Sequence, residues 1–134
     1  MDNASTTRWL RENQYADSTN LQKRQSLHHR FSTNPQGWHS WVFSHLEGLG
    51  QAAILEIGCG PGSLWLENLS GISLDWNVSL SDFSHGMLNE TRTHMDSNRN
   101  FSFACFDAQA IPNPSHHWDV VIANHMLYHV PEID

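Results

Sequence analysis

The stretch of this chain most suggestive of chemistry is an apolar run that leads directly into alternating glycines. Residues 54–62 read Ile-Leu-Glu-Ile-Gly-Cys-Gly-Pro-Gly, so Glu56 precedes Gly58, Gly60 and Gly62. A buried strand that turns sharply into a helix uses glycines in this way, because a backbone without Cβ atoms can approach a ligand closely. The amides at the start of the helix attract carboxylates or phosphates. The stretch predicts a turn that holds a nucleotide-like cofactor, with a purely structural Gly-rich turn as the alternative.

Glu56 and the glycine spacing restrict the kind of cofactor. A carboxylate inside a buried strand costs on the order of several kcal/mol unless it is paired, so we expect Glu56 to face a cationic group of the ligand. The spacing is G-x-G-x-G, whereas dinucleotide-binding folds use G-x-G-x-x-G to place a pyrophosphate at the start of the helix. This difference disfavours an NAD(P)-dependent oxidoreductase, which we keep as the weaker alternative.

Three later apolar segments also end in an acidic or amide side chain. They are Trp76–Asp82, Phe101–Asp107 and Trp118–Asn124. An acid at a strand end can accept hydrogen bonds from both hydroxyls of a ribose, each contributing about 1.5–3 kcal/mol. A surface aspartate that caps a turn is the alternative for Asp82. If the strands are parallel, all these ends converge on one ligand.

Together with these strand ends, the run from Glu56 to Gly62 resembles the class I S-adenosylmethionine-dependent methyltransferases. The resemblance implies an α/β fold with a Rossmann-like, doubly wound parallel sheet whose first four strands lie in the order 3-2-1-4. It also implies S-adenosyl-L-methionine as the cofactor and methyl transfer by in-line displacement, without a metal. The cofactor-binding residues that it implies are Glu56, Gly58, Cys59, Gly60, Gly62, Asp82, Phe83, Asp107, Ala108 and Asn124.

The resemblance also implies a role for the strand-end residues. Asp82 would hold the ribose hydroxyls, and Phe83 would lie against the adenine. Asp107 would accept from the adenine amino group, and the Ala108 amide would meet a ring nitrogen. The strand end at Asn124 would lie under the methionine part of the cofactor, with the following loop facing the methyl acceptor.

Histidines in that loop are candidates for acid–base chemistry. His125 and His129 could each take a proton from an oxygen or nitrogen nucleophile, although capping of the turn is an equal alternative. At this strand end the chain lacks the Asn/Asp-Pro-Pro-Tyr loop of enzymes that methylate the amino groups of adenine or glutamine. This absence favours a small molecule as the methyl acceptor. Two histidines four residues apart can share zinc, but neither H-E-x-x-H nor Cys-x-x-Cys accompanies them, so we expect no metal.

Residues 1–50 are predicted to form an N-terminal helical leader or lid, ahead of a core at residues 51–134. One helix is expected at residues 21–31 and a second after Asn34, the expected N-cap. The second helix should pack on the sheet through Trp38, Trp41, Val42, Leu46 and Leu49. Tyr15 is a third catalytic candidate, and His29 and Arg30 could also contact the acceptor; packing or capping is the alternative for all three.

Two helices of the core are expected to follow strand ends. Residues 63–69 place Leu64, Leu66 and Leu69 among polar neighbours, which predicts a short helix after the glycines. Ser84 suits the N-cap of another helix, with Met87, Leu88 and Thr91 on its buried face.

Composition and charge exclude several classes of protein. Fourteen acidic against seven basic residues leave a net charge of −7, which disfavours a nucleic-acid binder. Five of the seven bases lie in the first thirty residues, which carry +2 against −9 for the remainder. This cationic leader could contact an anionic substrate or the acidic core, and a solvated helix face is the alternative.

Neither a signal peptide nor an apolar run long enough for a membrane is present, so a cytoplasmic location is expected. Cys59 and Cys105 are expected to be packed thiols.

The sequence supplies four of the roughly seven strands that the resemblance implies. We therefore expect an incomplete domain, truncated after the fourth strand, and a non-catalytic cofactor-binding fragment is a second alternative. An open fourth strand would also be available for self-association with another copy.

Overall fold

Four helices and four strands make up the described part of the chain, which is Ser5 and residues 8–14, 18–95, 97 and 99–131 of this computed structural model. The helices are α1 (Thr19–Phe31), α2 (Trp38–Ser44), α3 (Ser63–Leu66) and α4 (His85–His94). The strands are β1 (Ala52–Ile57), β2 (Trp76–Asp82), β3 (Phe101–Cys105) and β4 (Val120–Ala123). A π-helical turn, Leu10–Gln14, precedes α1, and 3-10 turns lie at Leu69–Gly71 and Leu127–His129. None of the described helices has the length and apolarity that crossing a bilayer requires.

The strands form one parallel sheet in the order β3-β2-β1-β4, which confirms the predicted order 3-2-1-4. In β1, Glu56 pairs in register with Leu80 of β2 on one side and Ile122 of β4 on the other. Because every strand runs the same way, the glycine turn after β1 and the ends of the other strands lie at one edge. The sheet therefore gathers the predicted functional residues.

An aromatic cluster fills the core between the sheet and its covering helices. Trp65 of α3 is fully buried, with its ring centroid 6.1 Å from that of Phe43 and 6.0 Å from that of Phe101. Phe43 also lies 5.9 Å from Trp76. Such ring pairs contribute about 0.5–1.5 kcal/mol beyond their buried area. These contacts hold α2 and α3 against β2 and β3.

The second leader helix differs from the expectation in where it begins and what it buries. Gly37 is its N-cap, whereas Asn34 forms a turn in which its Oδ1 accepts from the Gln36 amide at 3.0 Å. Trp38 and Trp41 were predicted to pack on the sheet, but they are 46% and 43% exposed. The prediction was wrong for these tryptophans because the chain turns Phe43 inward, whereas Leu46 is buried as predicted.

The helices of the core follow the predicted pattern more closely. The Ser84 hydroxyl accepts from the Met87 amide at 3.3 Å and caps α4, as expected. Met87, Leu88 and Thr91 are its buried residues, which confirms the predicted face. Helix α3 ends at Leu66, earlier than the predicted Leu69.

The outer strands leave side chains in contact with solvent. Val121 of β4 is 53% exposed, and within the described residues no strand pairs with the outer edge of β4. Pairing of this edge with a second copy stays a prediction. Cys105 at the end of the opposite edge strand is exposed, so the expectation of a packed thiol was wrong there, whereas Cys59 is buried as expected.

Candidate functional site

A cavity of about 1060 Å³ lies at the carboxyl ends of the strands, and helices α1 and α2 line it from the other side. Ligand pockets typically measure about 300–1,000 Å³, so there is room for a nucleotide-sized ligand and a second small molecule. Nine of the ten residues predicted to bind the cofactor line it. They are Glu56, Gly58, Cys59, Gly60, Asp82, Phe83, Asp107, Ala108 and Asn124. The three acidic strand-end residues therefore border a common space.

The glycine turn is held in place from both sides. The Gly60 amide donates to Oδ2 of Asp82 at 3.0 Å, and the Gly60 carbonyl accepts from the Thr91 hydroxyl of α4 at 2.6 Å. The Cys59 amide donates to the Ser81 carbonyl at 2.9 Å. Because neighbouring elements satisfy these backbone groups, the turn is organised before any ligand binds.

Asp82 organises this edge of the sheet. It is 6% exposed, and its Oδ1 accepts from the Ser84 amide at 2.9 Å while Oδ2 accepts from Gly60. Burial raises the pKa of Asp82, and the amides of Ser84, Gly60 and Phe83 pull it down in part. Each carboxylate oxygen can accept two hydrogen bonds, so both retain capacity for a ligand hydroxyl.

Glu56 is a buried acid on the floor of the cavity. It is 2% exposed, and its Oε2 accepts from the indole Nε1 of Trp65 at 2.7 Å. Burial raises the pKa of Glu56 to about 7, with the Trp65 bond and the nearby Asn124 amide opposing that rise and the Asp82 charge adding to it. A cation placed here would be stabilised by the ionised Glu56 carboxylate and by the nearby Asp82 charge.

Asn124, just after β4, has a side-chain amide that lies near Glu56 but is not fully paired. Its Nδ2 is buried and makes no hydrogen bond of normal geometry within the described part of the chain. A buried donor of this kind costs about 1–3 kcal/mol if it stays unpaired. Because Asn124 lines the cavity, a hydrogen-bond acceptor on a bound ligand is a suitable partner. The orphaned donor, the buried acids and the glycine turn together fit the carboxylate, cationic groups and ribose of S-adenosyl-L-methionine.

Asp107, Ala108 and Phe83 line a further part of the same cavity. All three are half-buried, and Oδ1 of Asp107 accepts from the Gln109 amide at 2.9 Å, so this carboxylate keeps capacity to accept further hydrogen bonds. Their assignment to the adenine stays a prediction.

The histidine candidates border the same cavity. His125 and His129 both line the cavity, as does His29 of α1. Burial lowers the pKa of His129, and the nearby Arg24 charge lowers it further, which favours the neutral form that can accept a proton.

Arg30 is not among the lining residues, and its guanidinium lies over the Phe31 ring at 5.5 Å, so it makes a contact within the leader instead. Tyr15 lies outside the described residues, and its role stays a prediction. Among the described residues, no three His, Cys, Asp or Glu side chains are grouped as metal ligands would be, and the expected absence of a metal stays a prediction.

Gly62 is the one predicted cofactor residue that does not line the cavity. It caps α3 with φ of 78°, and a Cβ there would lie 2.3 Å from Met95 Cε and 2.8 Å from Thr91 Cγ2. Its lack of a side chain serves the contact between α3 and α4. The space next to this glycine belongs to α4 and to Met95 just after it, and its assignment to the cofactor stays a prediction.

A Gly62→Ala substitution should therefore destabilise the fold more than the loss of glycine alone explains. We expect a fall in the free energy of unfolding of about 2–4 kcal/mol, from a positive φ together with overpacking. Gly48→Ala is the matched control, because Gly48 has φ of 83° and a Cβ there would have no neighbour within 4 Å. Urea denaturation of both variants measures the difference, and equal losses would contradict the packing role.

Four aromatic and polar residues of the site were not identified from the sequence. Trp65 holds Glu56, Thr91 holds the glycine turn, and Trp38 and Trp41 line the cavity. The spacing of the two tryptophans, three residues apart on one helix, was the available signal for a shared face. The same spacing is typical of a helix face buried in the core, so only the tertiary structure could assign the two tryptophans to the cavity.

Comparisons with known proteins agree with this geometry. A family model described as a methyltransferase domain matches residues 54–134. Phosphoethanolamine N-methyltransferase 2 of Haemonchus contortus, in complex with phosphomonomethylethanolamine and S-adenosylhomocysteine, is similar in structure, with a TM-score of 0.70 and 20% identity over 93% of this chain and 30% of that one. The same enzyme in complex with S-adenosyl-L-methionine gives a TM-score of 0.62 and 21% identity over 86% and 27%. A protein of Methanococcus maripaludis, described as a proposed S-adenosyl-L-methionine-dependent methyltransferase, gives 0.65 and 19% over 88% and 54%.

The chain thus spans between about a quarter and just over half the length of these similar structures. At such identities the likeness shows the fold alone. Among curated proteins, none matches the chain. The family model covers well over half of the chain, including the glycine turn, Asp82, Asp107 and Asn124. The chain belongs to the methyltransferase domain family and has the Rossmann-like fold of S-adenosylmethionine-dependent methyltransferases.

Proposed function

We propose that this chain binds S-adenosyl-L-methionine and transfers its methyl group to a small-molecule acceptor. The observation that carries the proposal is the convergence of Glu56, Asp82, Asp107 and the orphaned amide of Asn124 on one cavity. Membership of the methyltransferase domain family supports the same activity. The Haemonchus contortus enzyme forms a complex with phosphomonomethylethanolamine and S-adenosylhomocysteine, which supports a small-molecule acceptor for this chain.

The residues of the chain would act mainly by positioning. Bound S-adenosyl-L-methionine supplies a methyl group on a positively charged sulfur, which is already a strong electrophile. Asp82 would hold the ribose, and Glu56 would stabilise the positive end of the ligand. Asn124 would donate a hydrogen bond to an oxygen or nitrogen atom of the ligand. Alignment of nucleophile and electrophile can contribute about 7–11 kcal/mol, so in-line displacement needs no covalent enzyme intermediate.

A proton acceptor is required if the nucleophile carries a proton. His129 is the better candidate, because its lowered pKa keeps the imidazole neutral at neutral pH. His125 lines the same side of the cavity. Either residue would take the proton from the acceptor as the methyl group is transferred.

Calorimetric titration tests the proposed cofactor. We expect S-adenosyl-L-methionine to bind and NADH to give no heat, because the turn lacks the glycine spacing that receives a pyrophosphate. Binding of NADH alone would overturn the proposal in favour of an oxidoreductase. Methyl transfer is then measured with radiolabelled cofactor; binding of S-adenosyl-L-methionine without transfer to any acceptor would identify a cofactor-binding fragment.

A further inference from the structure

An aromatic surface inside the cavity is not used by the proposed cofactor contacts. Trp38 and Trp41 lie one turn apart on α2, with ring centroids 5.2 Å apart, and both line the cavity. Both keep more than two fifths of their surface exposed. Large apolar rings left open inside a concave site are a typical ligand-binding surface.

The loop after β4 extends this surface. The Trp38 ring lies 4.8 Å from the His125 ring, so the leader and the loop meet across the cavity. His125 has φ of 52°, an uncommon left-handed conformation for a residue other than glycine. Its neighbour Met126 packs over Gly58, where a Cβ would come within 2.9 Å of the Met126 side chain. The surface formed by Trp38, Trp41 and His125, here called the aromatic wall, is therefore held next to the glycine turn.

The surrounding charges decide which ligand the wall suits. Tryptophan faces bind either flat rings or cations. Arg24, His28 and His29 of α1 line the same cavity, and His129 lines it from the opposite loop. The Arg24 charge lies close enough to His129 to lower its pKa, so Arg24 places a positive charge next to the loop after β4. The acids that line the cavity, Glu56, Glu67, Asp82 and Asp107, lie on elements other than α1. A cationic ligand beside Arg24 would be repelled, whereas a flat ring with an acidic group there would be attracted.

We propose that the aromatic wall and the basic face of α1 form the acceptor subsite, and that the acceptor is a flat aromatic molecule carrying a carboxylate or phosphate. Its ring stacks on Trp38 and Trp41, and its anionic group faces Arg24. The inference rests on the proposed function, because it names the acceptor class of the same site. It also gives the cationic leader a role that its charge alone did not assign.

Three probes with one ring and different charges test the proposal. They are 4-hydroxybenzoate, phenol and tyramine, titrated calorimetrically at neutral pH into the full chain saturated with S-adenosylhomocysteine. We expect 4-hydroxybenzoate to bind about tenfold more tightly than phenol, since an arginine–carboxylate pair adds a charge-assisted hydrogen bond. Tyramine should bind more weakly than phenol.

Paired variants separate the two parts of the subsite. Trp38→Ala should weaken 4-hydroxybenzoate and phenol alike by about tenfold, whereas Trp38→Phe should retain most of the affinity. Arg24→Gln should remove the preference for the acid and leave phenol binding unchanged. Trp9→Ala and Lys23→Gln are the matched controls, because Trp9 and Lys23 belong to the leader but do not line the cavity.

Several results would overturn the inference. Tyramine binding as tight as that of the acid would show a cation site, and an unchanged Trp38→Ala variant would remove the wall from the subsite. If S-adenosylhomocysteine binds but no probe does, the inference fails and the proposed function stands. If S-adenosylhomocysteine itself fails to bind, the proposed function fails as well.

Discussion

Asp82→Ala is expected to weaken S-adenosyl-L-methionine binding by at least about tenfold. In the proposed site the carboxylate accepts both ribose hydroxyls, and each charge-assisted hydrogen bond contributes about 1.5–3 kcal/mol. The same carboxylate holds the Gly60 and Ser84 amides, so its loss also loosens the glycine turn. Calorimetric titration of the folded variant gives the change in dissociation constant.

Two further variants distinguish ribose binding from support of the turn. Asp82→Asn keeps the size of the side chain and one oxygen acceptor but loses the charge, so it should show an intermediate loss of affinity. Asp75→Ala removes an exposed acid just before β2 and should bind like the wild type. Circular dichroism confirms that each variant is folded. Wild-type affinity in a folded Asp82→Ala variant would refute the ribose assignment.

The strands of the sheet and its functional edge could be predicted because the local sequence carries two signals, one for the strand and one for its end. An apolar run gives the strand, and the acid or amide that follows marks its end, as at Asp82 and Asn124. The order of the strands came from the resemblance to a known family. Helix α4 was predictable for a similar reason, since Ser84 and its buried face at Met87, Leu88 and Thr91 are local signals.

The leader could not be predicted to the same detail. The spacing and apolarity of Trp38 and Trp41 predict core residues, because these signals do not show whether a helix face packs on the sheet or borders a cavity. The two tryptophans are exposed because they line the cavity. Asn34 suits an N-cap by residue type, but in the structure it closes a turn and Gly37 caps the helix.

Gly62 illustrates a different limit. The motif indicates that a glycine is needed there, but not which neighbour requires it. The packing of α4 and Met95 against this position is a long-range contact that the motif does not encode.

Glu56 should make both stability and cofactor affinity depend on pH. Burial raises its pKa from 4.5 to about 7, so the fold favours the protonated form. Its contribution to stability is fully present below pH 4.5 and is lost as the pH rises through about 7. A positively charged ligand reverses this preference, because it stabilises the ionised carboxylate. Between about pH 5.5 and 7.5, the free chain should therefore lose stability while its affinity for S-adenosyl-L-methionine rises.

Glu56→Gln should remove the part of both pH dependences that comes from Glu56, since the amide cannot ionise but its oxygen can still accept from Trp65. Above pH 8 we expect the free variant to be more stable than the wild type by on the order of 1–3 kcal/mol, yet to bind S-adenosyl-L-methionine about tenfold more weakly. Near pH 5.5 the two proteins should behave alike, because Glu56 is then protonated in the wild type. Chemical denaturation and calorimetry across this range measure both quantities, with Glu47→Gln, an exposed substitution, as the control. A wild-type affinity that stays flat across the range would show that Glu56 does not face the cationic part of the ligand.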